Sequence, residues 1–296
     1  MVRRITDEAS QQMARGESSQ THRVDFDLAV DLAAGSDRHP RALAGPYPLA
    51  MVYGGGGVFG IGYGAGIAHG LAAAGIAVAE APALGTSAGS WVASAVALGL
   101  TYDDLADIEV PSVPSRQRGA LVDAARSVFG DARHPLVAVS AVRLGGRRRR
   151  HILDGGRYPL ADLVAASSSV PTLFPPHRID GRLYVDGGMW SVTSVDAAKD
   201  AEQVIVVAPL AGTVLGPMGR SAGFLLAREL RTWRGRHPDK TITMIRPNRE
   251  IARLAGRNPM GLFEADRARL VYPLAVEQGL EWGKRLMAEQ SQRSAQ

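Results

Sequence analysis

The 296-residue chain contains no cysteine, which excludes disulfides, thiolate metal sites and a cysteine nucleophile. Such a composition fits a cytoplasmic protein, and that localisation is the expectation. Aromatic residues make up only 6% of the chain, too few to interleave with basic residues as nucleic-acid surfaces do, so no nucleic-acid partner is expected. No apolar run reaches the roughly 18–20 residues that span a bilayer. The two most apolar stretches, 64–79 and 88–100, are short, rich in Gly and Ala, or broken by His69. The opening MVRRITDEASQQMARGESSQ lacks the apolar core of a secretory signal, so export by that route is not expected. The seven histidines are scattered, without H-x-x-x-H or H-E-x-x-H spacing, and no metal or cofactor is expected.

What is present is an apolar fraction of 46%, ample for a sizeable core, and 34 Lys+Arg against 29 Asp+Glu. The resulting charge of +5 favours anionic surfaces without demanding them. Residues 1–45 are polar and read as a flexible extension, 46–290 as a single domain, and 291–296 as a frayed tail. Within the domain, 48–53 reads as a buried strand, 62–74 as a helix and 76–84 as a further strand interrupted by Pro82. An all-apolar helix is expected over 88–100, strands at 136–144, 203–209 and 241–246, and a hairpin turning at Asp180-Gly181. Strands alternating with helices imply a mostly parallel α/β sheet covered on both faces.

Two features carry chemistry. "VYGGGGVFGIGYGAG" (52–66) places eight glycines after an apolar strand. Such a loop either cradles a pyrophosphate or aims amides at a transient oxyanion. "LGTSAGSW" contains Gly85-Thr86-Ser87-Ala88-Gly89, a G-x-S-x-G pattern between a strand and a helix. In a nucleophile elbow, Gly85 and Gly89 permit a tight turn that exposes the serine hydroxyl, and the helix N-terminus favours negative charge beside it. Otherwise Ser87 is an ordinary helix N-cap. A base for Ser87 could be Asp186 in "YVDGGMW", with Gly187 and Gly188 leaving room for a partner, or His237 in a Ser87, Asp186, His237 triad. Asp186 could equally be a turn aspartate bonded to its own backbone.

Taken in order, the glycine loop, "GTSAGS", "AASSSVPTLFPP" (165–176) and "VDGG" (185–188) resemble the patatin-like phospholipases, serine acyl hydrolases with a Ser–Asp dyad. The resemblance implies a three-layer α/β/α sandwich, Ser87 as nucleophile, Asp186 as base, and the amides of Gly55, Gly56 and Gly57 as oxyanion hole, with Ala88 joining them. It implies lipid or acyl-ester substrates and no cofactor. Two positions depart from the family's pattern: Phe59 stands where a basic residue is usual, and no Asn follows shortly after Asp-Gly-Gly.

Two rival readings remain. Gly55, Gly57 and Gly60 fit G-x-G-x-x-G, with Glu80 twenty positions on, which is nearly a dinucleotide fingerprint. A catalytically inactive lipid-binding member of the same fold is the other. The run Arg147 to Arg150, followed by His151, is either a solvated hairpin or a peripheral contact to anionic membrane. His177, after Pro175 and Pro176, reads as structural.

Overall fold

The structure is a computed structural model. It describes residues 47–294 apart from 109–110, 112, 146–148, 199, 212–216 and 257. The expected extension over 1–45 lies outside the described residues. The chain divides into two units, Met1–Arg41 and Ala42–Gln296, and all the described residues belong to the second.

Three parallel strands form the centre of the sheet: β1 (Tyr47–Tyr53), β2 (Ala83–Thr86) and β7 (Ala201–Val207). Their sequences, YPLAMVY, ALGT and AEQVIVV, are almost wholly apolar toward the C-terminal ends because both faces are covered. β8 (Thr241–Ile245) extends the sheet beyond β7 in parallel, and β3 (Val137–Arg143) extends it beyond β2. β3 then carries an antiparallel arm made of β4 (Arg149–Asp154), β5 (His177–Ile179) and β6 (Arg182–Asp186). The β5–β6 hairpin turns at Asp180 (φ 48°) and Gly181 (φ 74°), the pair of positive φ values that a type I′ turn requires.

The helices are α1 (Gly57–Ala73), α2 (Ala88–Ala97), α3 (Tyr102–Ala106), α4 (Ala120–Phe129), α5 (Leu160–Ser168), α6 (Pro217–Arg236), α7 (Arg249–Ala255) and α8 (Ala265–Ser294). One sheet face packs on α1, α2, α4, α5, α7 and α8; the other packs on α6, through Leu226, Leu230 and Trp233. The three layers are therefore unequal, but the expected class holds: a mixed, mostly parallel sheet between helices.

Three local expectations change. Helix α1 begins at Gly57 rather than at 62, so residues 57–66 of the glycine-rich stretch are helical. The packing is tertiary: in the added turn a Cβ on Gly57 would stand 2.7 Å from the Leu262 carbonyl oxygen, and farther along one on Gly62 would stand 2.6 Å from the Ala268 carbonyl oxygen, one on Gly66 2.6 Å from that of Tyr272, and one on Gly70 would collide with that of Val276. The stripe Gly62, Gly66, Gly70 is thus a seam along which α8 lies against bare backbone, and this close packing overrides glycine's poor helix propensity. Second, the strand expected over 76–84 is only Ala83–Thr86; Ile76, Val78 and Ala81 are buried in an irregular connection. Third, the tail expected to fray is helical through Ser294. No helix among the described residues is long and apolar enough to cross a membrane.

Candidate active site

The sheet's register brings the site together. β2 runs along one edge of β3 as far as Thr86 opposite Ser140, while β4 holds the other edge. β6 approaches in the opposite direction along the edge that β2 has vacated and ends with Asp186 opposite Ala141. Two strands therefore abut head to head on neighbouring residues of β3. The residue that follows the first, Ser87, and the last residue of the second, Asp186, meet at the abutment.

Ser87 turns the chain from β2 into α2 with φ 53° and ψ −123°, a region that L-residues avoid and that costs about 1–3 kcal/mol. Its neighbours are small because nothing larger fits. A Cβ on Gly85 would fall on Ser90 and Gly89, and one on Gly89 would fall on the Tyr53 carbonyl. Although Ser87 occupies the N-cap position of α2, its side chain makes no capping bond, so the hydroxyl is not engaged in the ordinary role weighed above. Its own amide donates to Ser167 Oγ at 2.9 Å, and Ser167 Oγ donates to the Ser140 carbonyl at 2.8 Å. α5 and β3 thus clamp the turn.

Asp186 is buried (2% exposed). Oδ1 accepts from the Gly188 amide at 2.6 Å, so the turn-aspartate geometry is also present. Oδ2 is buried without a full hydrogen-bond partner. Burial pushes the carboxyl up from its ordinary 3.8 to about 6, opposed by hydrogen bonding from Ser87 and then from the Gly188 amide. A carboxylate of that pKa is a better base than an exposed aspartate, and its neighbour is the Ser87 hydroxyl. Gly187 is required because a Cβ there would strike the Ser140 carbonyl, and a Cβ on Gly188 would lie 2.9 Å from Asp186 Oδ1.

The glycine loop divides by function. The Gly55 amide donates to the Val192 carbonyl at 2.8 Å, so it is removed from the expected oxyanion donors. That bond ties the loop to the segment after Asp186, which Ser191 organises by accepting from the amides of Thr193 and Ser194. The amides of Gly56 and Gly57, at the start of α1, and of Ala88, at the start of α2, take no carbonyl partner among the described residues. Gly55 lies against the Ser87 Cβ and Gly60 against the Ala88 Cβ, each within 3.3 Å of where its own Cβ would stand. Two helix N-termini therefore converge beside the hydroxyl, where developing negative charge is favoured.

Ser87 opens into an apolar cleft lined by Val58, Ile61, Trp91, Tyr102, Leu105, Leu121, Val170, Phe174 and Phe263. Phe59, the position where a cation is usual, is fully buried in the core, so this chain has no basic side chain there to reach a head group.

Other candidates are placed elsewhere. His237 stacks near Trp233 and stands 4.0 Å from Asp200, which immediately precedes β7. Ser87 lies at the C-terminal ends of the parallel strands, about 20 Å along the sheet at the strand rise of ~3.3 Å per residue, which rules out the Ser87, Asp186, His237 triad. Glu80 precedes β2, whereas the glycine loop follows β1, so the two lie at opposite ends of parallel strands and do not form a dinucleotide fingerprint. His177 is bonded to Asp162 at 2.9 Å in a structural role. Of the arginine run, Arg147 and Arg148 lie outside the described residues, and Arg150 makes a bidentate pair with Asp196 at 2.5 and 2.8 Å. Among the described residues no cluster could hold a metal ion. Ser167, Ser140 and Ser191 were not singled out in the sequence; "ASSSVP" is serine-rich, but only the register of α5 on β3 gives Ser167 its partners.

Residues 125–199 match the family model described as patatin-like phospholipase. The match takes in β3, α5, the β5–β6 hairpin and Asp186, and stops short of the elbow at Ser87. No curated protein matches the chain.

Proposed function

We propose that the protein is a serine acyl hydrolase that cleaves carboxylic esters of lipids through a Ser87–Asp186 dyad. The observation that carries this reading is the abutment of β2 and β6 on β3, which sets an uncapped serine in a strained elbow beside a buried, high-pKa carboxylate at the mouth of an apolar cleft. Similarity to a family of lipid acyl hydrolases over 125–199 supports it from the Asp186 side.

Asp186 takes the hydroxyl proton as Ser87 Oγ attacks the ester carbonyl, and the amides of Gly56, Gly57 and Ala88 hold the oxyanion. Collapse expels the alcohol, which receives the proton from Asp186, and leaves an acyl-serine. Water, deprotonated by the same carboxylate, then releases the fatty acid. The cleft accommodates the acyl chain by burying methylenes, each worth about 0.8 kcal/mol.

Hydrolysis of p-nitrophenyl acyl esters and labelling by a fluorophosphonate test the reading. Wild type and His237→Ala should turn over and label. Ser87→Ala should do neither, and Asp186→Asn should lose turnover. A folded wild type that neither labels nor hydrolyses any ester would leave lipid binding without catalysis.

A further inference from the structure

The C-terminal edge of the sheet exposes apolar side chains on both sides of the cleft. Met189 and Trp190 follow Asp186 directly and are 56% and 54% exposed. Across from them, Met260 is 42% exposed in the 3₁₀ turn Pro259–Phe263, whose Leu262 lies against Gly57 and whose Phe263 lines the cleft. Large apolar groups are normally withdrawn from water, and here they flank the opening through which a substrate must enter.

The same edge carries uncompensated positive charge. Arg143 ends β3 two residues beyond Ala141, the partner of Asp186; Arg149 lies opposite Arg143 on β4; Arg182 opens β6. None of the three has an ion-pair partner among the described residues; Arg149 and Arg182 are exposed, whereas Arg143 is half-buried, its Nε buried without a hydrogen-bond partner. They surround His151, whose pKa is lowered first by burial and then by Arg143, Arg182 and Arg149. Arg150, by contrast, is paired with Asp196, with its guanidinium 5.9 Å from the Trp190 ring centre, so it holds Trp190 rather than adding free charge.

We propose that this edge is a bilayer-docking surface, on which Met189, Trp190 and Met260 enter an anionic leaflet while Arg149 and Arg182 engage its phosphates, with the half-buried Arg143 behind them adding to the positive field, seating the cleft mouth on the lipid. An indole beside a guanidinium matches the interface between acyl chains and head groups, whereas a protein partner would leave the three arginines needing carboxylates of its own. The cation absent at Phe59 is thereby supplied from a different element, outside the pocket. The proposal depends on the lipid-hydrolase reading for its purpose and not for its measurement.

Ser87→Ala protein, which leaves the lipid intact, is sedimented with vesicles of phosphatidylcholine alone or mixed with phosphatidylglycerol. Binding should require phosphatidylglycerol, weaken as salt rises, and fall about fivefold for each of Arg149→Gln and Arg182→Gln. Trp190→Ala should weaken it further, and the same arginine substitutions made in protein that keeps Ser87 should still hydrolyse a soluble ester at the wild-type rate. Equal binding to neutral vesicles, or variants that bind as the parent does, would overturn the proposal. So would a wild-type dimer in sedimentation velocity that Trp190→Ala dissociates, since a second copy would then cover the edge. Vesicle binding without esterase activity would sink the hydrolase reading alone; esterase activity without vesicle binding would sink only the docking.

Discussion

The two halves of the site are costly in different ways. At Ser87 the cost is conformational: a non-glycine residue held at φ 53°, between two glycines that tolerate no side chain. At Asp186 the backbone is ordinary (φ −47°, ψ 132°) and the cost is electrostatic, a carboxylate withdrawn from water with one oxygen unpartnered. The elbow's strain is locked in by packing and by Ser167, and is present at every pH. The burial of charge is present only when the charge is. One half of the site is therefore destabilising at all times and the other only above the pKa of its carboxyl.

Substitutions separate these costs, and the largest effect is on chemistry. Asp186→Asn should lower kcat/KM for a soluble ester by about 10³-fold or more, near the upper range for loss of a positioned base. A variant within tenfold of wild type would remove Asp186 from the base role. The same variant should be the more stable protein. A carboxyl at about 6 in the fold and near 3.8 otherwise binds more protons in the native state between those values, so wild-type stability falls as pH rises across that window and stays flat above it. Asp186→Asn should therefore gain on the order of 3 kcal/mol at pH 7 and nothing at pH 3. Urea unfolding at both pH values checks this, and an equal difference at both would show that something other than charge is being relieved.

A smaller effect is the pH profile of the wild type. Because the base must be ionised, kcat/KM should climb about tenfold per unit at acid pH and level off above about 6. A break near 4 would mean that Asp186 is better solvated than its burial implies. Smallest is Ser87→Gly, inactive but expected to be more stable by about 1 kcal/mol at acid pH, where Asp186 is neutral, since glycine adopts φ 53° without strain; at higher pH the loss of the Ser87 hydrogen bond to the ionised carboxylate cuts into that gain. A variant no more stable than wild type at acid pH would show that the elbow holds no strain.

Much of this was legible in the sequence where a local rule sufficed. β1, α2 and the Asp180-Gly181 hairpin follow from apolar runs and a turn dipeptide, and "GTSAG" marks the elbow because small residues are a steric requirement there. Asp186 was marked by Asp-Gly-Gly and by resemblance. What escaped depends on partners remote in the chain. Glycine reads as loop, so the helix is expected from 62, yet Gly57 and Gly60 are already helical, with Gly57 packed under the Leu262 carbonyl some two hundred residues later. Gly55 resembled an oxyanion donor until Val192, beyond Asp186, claimed its amide. Arg150 belongs to a run of like charges and is neutralised by Asp196, a partner 46 residues on.

The abutment on β3 has a mechanical consequence as well. No ladder of hydrogen bonds continues from β2 into β6, so β3, with residues 137–140 against one strand and 141–143 against the other, is the splint that joins the parallel body to the antiparallel arm. The proposed nucleophile, Ser87, rides on the body and the proposed base, Asp186, on the arm. Any flexing of that splint changes the distance between them before it disturbs either half, and the slowest-exchanging amides of the arm should report the same opening that switches the dyad off.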